Sequence, residues 1–211
     1  MSLQNRVDPF GHLIATTARG AWIGNRGLLH GADRQIRRSW RLKAWLVCTL
    51  QFKGRHRTVM SPGLWTELFF LDEATALAAG HRPCCECRRT DHLRFKTLAG
   101  QATGEPFKRA ADLDAALHHD RITPNNFKRT YREQIGELPE GVFVLVGGEP
   151  WLKQGGGLHR WTPHGYAEMC SIPADEAEVL TPRLTVEIIR GGYAPQMALQ
   201  SYSPRDAVAP A

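Results

Sequence analysis

The chain has 211 residues, 42% of them hydrophobic and 23% charged, which suffices for one large domain or two small ones with a proper core. No apolar run approaches the roughly 18 residues of a spanning helix, and no charged-then-apolar leader is read at the N-terminus, so no membrane-spanning helix and a reducing, cytoplasmic location are expected. The net charge of +6 is uneven: residues 1–135 carry +10 and residues 136–211 carry −4, which suggests a polyanion-facing front part and a chemically different back part.

In chain order, "HLIATT" at 12–17 has the character of a short strand, and the Gly-rich "RGAWIGNRGLLHG" after it belongs to no regular element. Five basic residues then fall within 34–43, "RQIRRSWRLK". Residues 45–52 and 56–60, joined by "KGR", read as a β-hairpin. Asp72 is placed to cap a helix over 73–79, with Gly80 as its stop. Further helices are expected over 90–100, capped by Thr90, over 112–121, and from Thr123–Pro124 to Gly136. Beyond residue 140, "VFVLVGG", "PWLKQGGG", "LHRWTPHGY" and "RLTVEIIRGGY" read as strands between Gly/Pro turns, and 201–210 as a loose tail. The fold class is therefore α+β, with a hairpin-and-helix N-terminal half over 1–100, a basic helical segment over 101–136 and a strand-rich part over 137–211.

Three of the five cysteines sit in "RPCCECRR". Cys84 and Cys87 form a C-x-x-C pair whose thiolates can face one ion from a tight turn, half of a tetrahedral zinc set. Arg82, Arg88 and Arg89 beside the pair favour the thiolate forms, while Cys85 points elsewhere and reads as a packing thiol. Structural zinc leads; a redox disulfide and plain buried thiols remain the alternatives. A redox motif of the thioredoxin kind follows a strand, whereas this pair follows a helix stop.

The longer stretch "FFLDEATALAAGHRPCCECRR" resembles the second half of the zinc-binding domain of the Ada DNA-repair family. Phe69, Phe70, Ala79, Gly80, Arg82, Pro83, Cys84, Cys87 and Arg88 carry the likeness, with His81 at the family's aromatic position, over about residues 65–90. The resemblance implies a zinc cofactor and nucleic acid as partner. It also implies two further ligands about thirty residues upstream, but "QFKGRHRTVMSPG" there has no cysteine, so methyl-acceptor chemistry is not carried over. Cys48 with His30, or His56 in place of His30, is the expected completion of the ligand set, Cys48 and His30 being preferred as a Cys3His set.

For nucleic acid the candidate contacts are Arg37, Arg38, Arg41, Arg55, Arg57, Arg88, Arg89, Lys128 and Arg132, with Trp40 and Trp45 interleaved. DNA and RNA are not distinguished. The leading expectation is a zinc-containing nucleic-acid-binding protein, an accessory factor in DNA repair or processing. The alternative is an enzyme for a small or nucleotide-like substrate, its pocket rimmed by Trp161, His164 and Tyr166 of "RWTPHGY". No H-E-x-x-H, P-loop, G-x-S-x-G or dinucleotide fingerprint is present, and His118, His119 and Asp120 diverge around a helix rather than forming a triad.

Overall fold

A computed structural model describes residues 2–54 and 58–199. Among these residues four α-helices pack with two six-stranded sheets, the mixed α+β class expected. The first sheet has the order β2-β1-β5-β3-β4-β6, from β1 (Gln4–Val7), β2 (Leu13–Ala15), β3 (Trp22–Asn25), β4 (Leu46–Thr49), β5 (Leu68–Phe70) and β6 (Arg82–Pro83). The Gly-rich stretch assigned to no element thus supplies an interior strand, β3. Gly24 is obligatory there, because a Cβ would lie 2.0 Å from the Leu46 carbonyl oxygen of β4.

The hairpin expected over 45–60 does not form. β4 is paired on one side with β3 and on the other, in parallel, with β6, so it has no free edge for a following strand. Residues 58–60 lie in no strand, and 55–57 fall outside the described residues.

Helix α1 (Glu73–Ala78) begins as expected, with Asp72 Oδ1 accepting the Thr75 N–H at 2.8 Å. All six of its residues are buried, and its composition explains how. Ala76 and the adjoining Ala79 face the first sheet with Leu68 and Phe70. Ala74 and Ala78 face Phe143, Leu152 and Trp161 of the second sheet. Leu77 enters a third cluster with Phe95, Leu113 and Val186. Alanine at i and i+4 lets two sheets approach one short helix, which a larger side chain would forbid.

The second sheet runs β11-β10-β9-β8-β12-β7: β7 (Tyr131–Gln134), β8 (Phe143–Val146), β9 (Glu149–Gln154), β10 (Gly157–Thr162), β11 (Gly165–Ser171) and β12 (Glu176–Val179). The turns Gly147–Gly148 and Gly155–Gly156 have positive φ at both positions, the geometry that two-residue hairpins demand. Helices α2 (Arg89–Thr103), α3 (Ala110–Arg121) and α4 (Arg183–Arg190) pack beside it.

Two further segments change type. The helix expected over 123–136 is a turn followed by β7. Thr123 Oγ1 accepts the Phe127 N–H, Asn126 takes φ +64°, and Tyr131–Gln134 pairs with β12, so long-range pairing overrides the Thr-Pro start signal. Conversely, "RLTVEIIR" is helix α4: Val186 and Ile189 share one buried face with Thr185 and Ile188, a helical period hidden by β-branched residues. Helix α2 also runs past Gly100, which is buried against Pro106, to Gly104 at φ +78°, and it starts from Arg88 rather than from a Thr90 cap.

Candidate metal centre and basic surface

The parallel pairing of β4 with β6 sets the register Leu46↔Arg82 and Val47↔Pro83, and the next residues along each strand are Cys48 and Cys84. The Cys84 N–H donates to the Val47 carbonyl at 3.0 Å and closes the ladder. The chain then turns, and Cys87 returns to the same place. The sulfur atoms of Cys48, Cys84 and Cys87 all lie within 4.8 Å of one another, a grouping able to hold a metal ion. Cys84 Sγ accepts the Glu86 N–H at 3.4 Å. A hydrogen bond from the Cys48 thiol, aided by backbone N–H groups, pulls the Cys84 thiol down to about 5, despite the opposing effect of burial. The same bond to Cys84, followed by burial, pushes Cys48 far up. Burial, the largest influence on Cys87, raises it as well. The set thus holds one thiolate ready, and a cation would draw protons from the other two.

His30 is not part of this group. Its ring is buried between Thr66 Oγ1 (2.6 Å from Nδ1) and the Ser61 carbonyl (3.2 Å from Nε2), so both nitrogens are engaged elsewhere. His56, the other candidate, and Arg55 and Arg57 lie outside the described residues. Cys85 is exposed rather than packed. The three thiols form one wall of a cavity of about 290 Å³ that also touches Ile23, Trp65, Phe69 and the buried Glu67.

The arginines flanking the cysteines are structural locks as well as neighbours of the thiols. Arg82 donates to both oxygens of Asp114 on α3, at 2.7 and 2.8 Å, and both side chains are buried. Arg88 reaches Glu73 of α1 at 2.7 Å and Asp91 at 2.8 Å, with its guanidinium 4.3 Å from the Trp22 ring centre. Each end of the Cys84–Cys87 turn is therefore pinned by a buried ion pair to a helix. Arg88 is accordingly no surface contact for a polyanion. A hint was legible in sequence: paired arginines bracketing a ligand turn need acidic partners, and Glu73 and Asp91 stand nearby.

Other proposed contacts divide. Arg37, Arg38, Arg41 and Arg89 are exposed, Arg37 being paired with Asp33. Arg132 is exposed on β7 and ion-paired with Glu176 of β12 at 3.5 Å. Lys128 is withdrawn, its Nζ 2.6 Å from the Ala78 carbonyl oxygen, and it shares no helix face with Arg132 because the segment is not helical. Trp45 is buried, while Trp40 is half-buried. Trp40 Nε1 donates to Asn126 Oδ1 at 3.2 Å, which joins the basic loop 34–43 to the 123–127 turn. Phe127 in that turn is 71% exposed.

Trp161, His164 and Tyr166 line neither the cavity beside the thiols nor the groove at Arg132 and Pro173. Trp161 is buried and donates to Thr75 Oγ1 at 3.1 Å, and Tyr166 donates to Asp72 Oδ2 at 2.7 Å, so both serve the interface with α1. His164 is exposed at the β10–β11 turn. His118 lies 2.8 Å from Arg121, and Asp120 accepts the Leu184 N–H at 2.7 Å, so they form no catalytic set. No helix among the described residues is long and apolar enough to cross a membrane. No family model, curated protein or solved structure matches the chain.

Proposed function

We propose that the protein is a zinc-containing nucleic-acid-binding protein, with Cys48, Cys84 and Cys87 as zinc ligands and the joined loop 34–43 and turn 123–127 as its binding face. Three clustered thiolate donors favour zinc among the common divalent ions, and a site linking β4 to the start of α2 serves structure. The observation that carries the binding reading is the Trp40–Asn126 hydrogen bond. It holds an exposed aromatic, Phe127, and the half-buried Trp40 together with the exposed Arg37, Arg38, Arg41 and Lys43. Cations neutralise phosphates, and aromatic faces stack on unpaired bases, so single-stranded nucleic acid suits this face better than duplex. Repair or processing of DNA is the role that the Ada-like segment suggests for it.

The test is fluorescence anisotropy with short single-stranded DNA and RNA across a salt series. Affinity is expected to fall steeply with salt. Replacing Arg38 and Arg41 by Ala should make the log–log slope shallower by about 1.4, at roughly 0.7 per phosphate contact. Phe127→Ala should cost about 1–3 kcal/mol. Absence of binding at low salt, or full affinity in all these variants, overturns the reading.

A further inference from the structure

Beneath the loop that carries Trp40 lies a group of charges that neither the thiol cluster nor the exposed basic face uses. Arg26, just after β3, and Arg121, at the end of α3, are each 1% exposed. Their guanidinium carbons lie 3.9 and 4.0 Å from the centre of the buried Trp45 ring. Lys128 joins them from the 123–130 segment; its stem is half-buried, while its amine is turned inward to Ala78.

Among the described residues, the charged and titratable groups acting on them are few. Asp8 is the carboxylate facing Arg26 and Lys128, and it already accepts the His12 N–H at 2.8 Å and meets the His12 ring. Asp114 faces Arg121 but is held by both arms of Arg82. His81 accepts from Arg26 Nε, and burial beside two arginines keeps it neutral. Burial and then Arg121 and Lys43 hold His118 down to about 4, so it is neutral as well. Four cations, Arg26, Arg82, Arg121 and Lys128, are thus set against two carboxylates. Burial brings Arg26 and Arg121 down to about 9 and Lys128 to about 7, the mark of charge without compensation.

Backbone carbonyls of Gly11, Ser39, Lys43, Gly80 and Ala78 accept some of the N–H groups, but carbonyls bring no negative charge. Four buried nitrogen donors of this group have no acceptor among the described residues: Arg26 Nη2, Arg121 Nε, Trp45 Nε1 and the Nδ1 of His81, whose Nε2 accepts from Arg26. Buried polar groups are almost always satisfied, and buried charge without a counter-charge is costly, so both observations point to a missing anion. Guanidinium forks match the oxygens of phosphate, and the excess of two positive charges present once Lys128 is protonated matches a phosphate monoester or inorganic phosphate dianion rather than a singly charged diester.

We propose that Arg26, Arg121, Lys128 and the Trp45 N–H form a receptor for a phosphate dianion, reached past the Lys128 side chain. The dianion is either free phosphate or the terminal phosphate of a nucleic-acid strand, and the site does not depend on the nucleic-acid reading above.

The test compares thermal unfolding of the full chain in inorganic phosphate and in chloride at equal ionic strength and pH. Phosphate at one hundred times its dissociation constant should raise the wild-type midpoint by about 5–10 °C. Lys128→Met, which keeps the stem and removes the amine, and Arg121→Met should each weaken the phosphate response at least tenfold. The exposed variant R38A/R41A should keep it. A second arm compares 5′-phosphorylated with 5′-hydroxyl oligonucleotides. A preference lost in K128M assigns the site to strand ends, while a phosphate response without that preference assigns it to the free ion. A phosphate response in a protein that binds no oligonucleotide sustains this site and overturns only the nucleic-acid reading. Equal midpoints in phosphate and chloride for the wild type, or an undiminished response in K128M, overturn the receptor.

Discussion

Zinc at the three thiols would staple strand β4 to the turn before α2, and the size of that staple follows from the chain. Cys48 and Cys84 are 36 positions apart. Treating the metal bridge as a cross-link that closes this loop in the unfolded chain gives about 3.8 kcal/mol. Cys87 adds little, because its loop to Cys84 is short. For a chain of this length each kcal/mol moves the midpoint by roughly 2–4 °C, so saturating zinc should raise it by about 8–15 °C. The assay is scanning calorimetry of chelator-stripped protein titrated with zinc, beside metal analysis of the protein as purified. Cys48→Ser and Cys84→Ser should lose most of the increment, and Cys85→Ser, at an exposed position, should keep all of it. A full increment in Cys48→Ser would show that the bridge does not run through β4, and the loop argument would fail.

Three further outcomes follow from buried polar pairs. Asp114→Ala leaves Arg82 charged and unpaired in the interior and should cost about 3–5 kcal/mol in urea unfolding, whereas the double change R82M/D114L should cost far less; equal losses would refute the ion-pair argument. Tyr166→Phe removes one donor from the buried Asp72 carboxylate and should cost about 1–3 kcal/mol, and an unchanged urea midpoint would show that the Ala198 N–H suffices there. Burial holds the Lys128 amine at about 7 against its ordinary 10.5, so the folded state penalises its protonation: the penalty is complete below pH 7, shrinks as pH rises and is gone above 10.5. K128M in phosphate-free buffer should therefore exceed the wild type in stability most at low pH, by up to about 5 kcal/mol, with the gap closing toward alkaline pH; a gap independent of pH would contradict the buried amine.

Local features were readable from the sequence. The Asp72 cap and Gly80 stop of α1 depend on near neighbours, as does the C-x-x-C spacing of Cys84 and Cys87, and all three are present. No spacing rule in the sequence singles out Cys48 as a ligand, and β-pairing shows why: the register of two strands far apart in sequence brings Cys48 beside Cys84. His30 failed for the same reason, since a pairing of loops sends its ring to Thr66 and Ser61 instead.

The nature of a basic residue was even less local. Arg88, Lys128 and Arg38 look alike in a charge count, yet one is an interior lock, one a withdrawn amine and one an exposed cation. Composition alone established a chain with a sizeable core and a basic front part, and short-range signals established the thiol pair and the start of α1. Which strands paired, which cations were buried and which aromatics reached solvent were decided only by the tertiary structure, because burial is a property of contacts between residues distant in sequence.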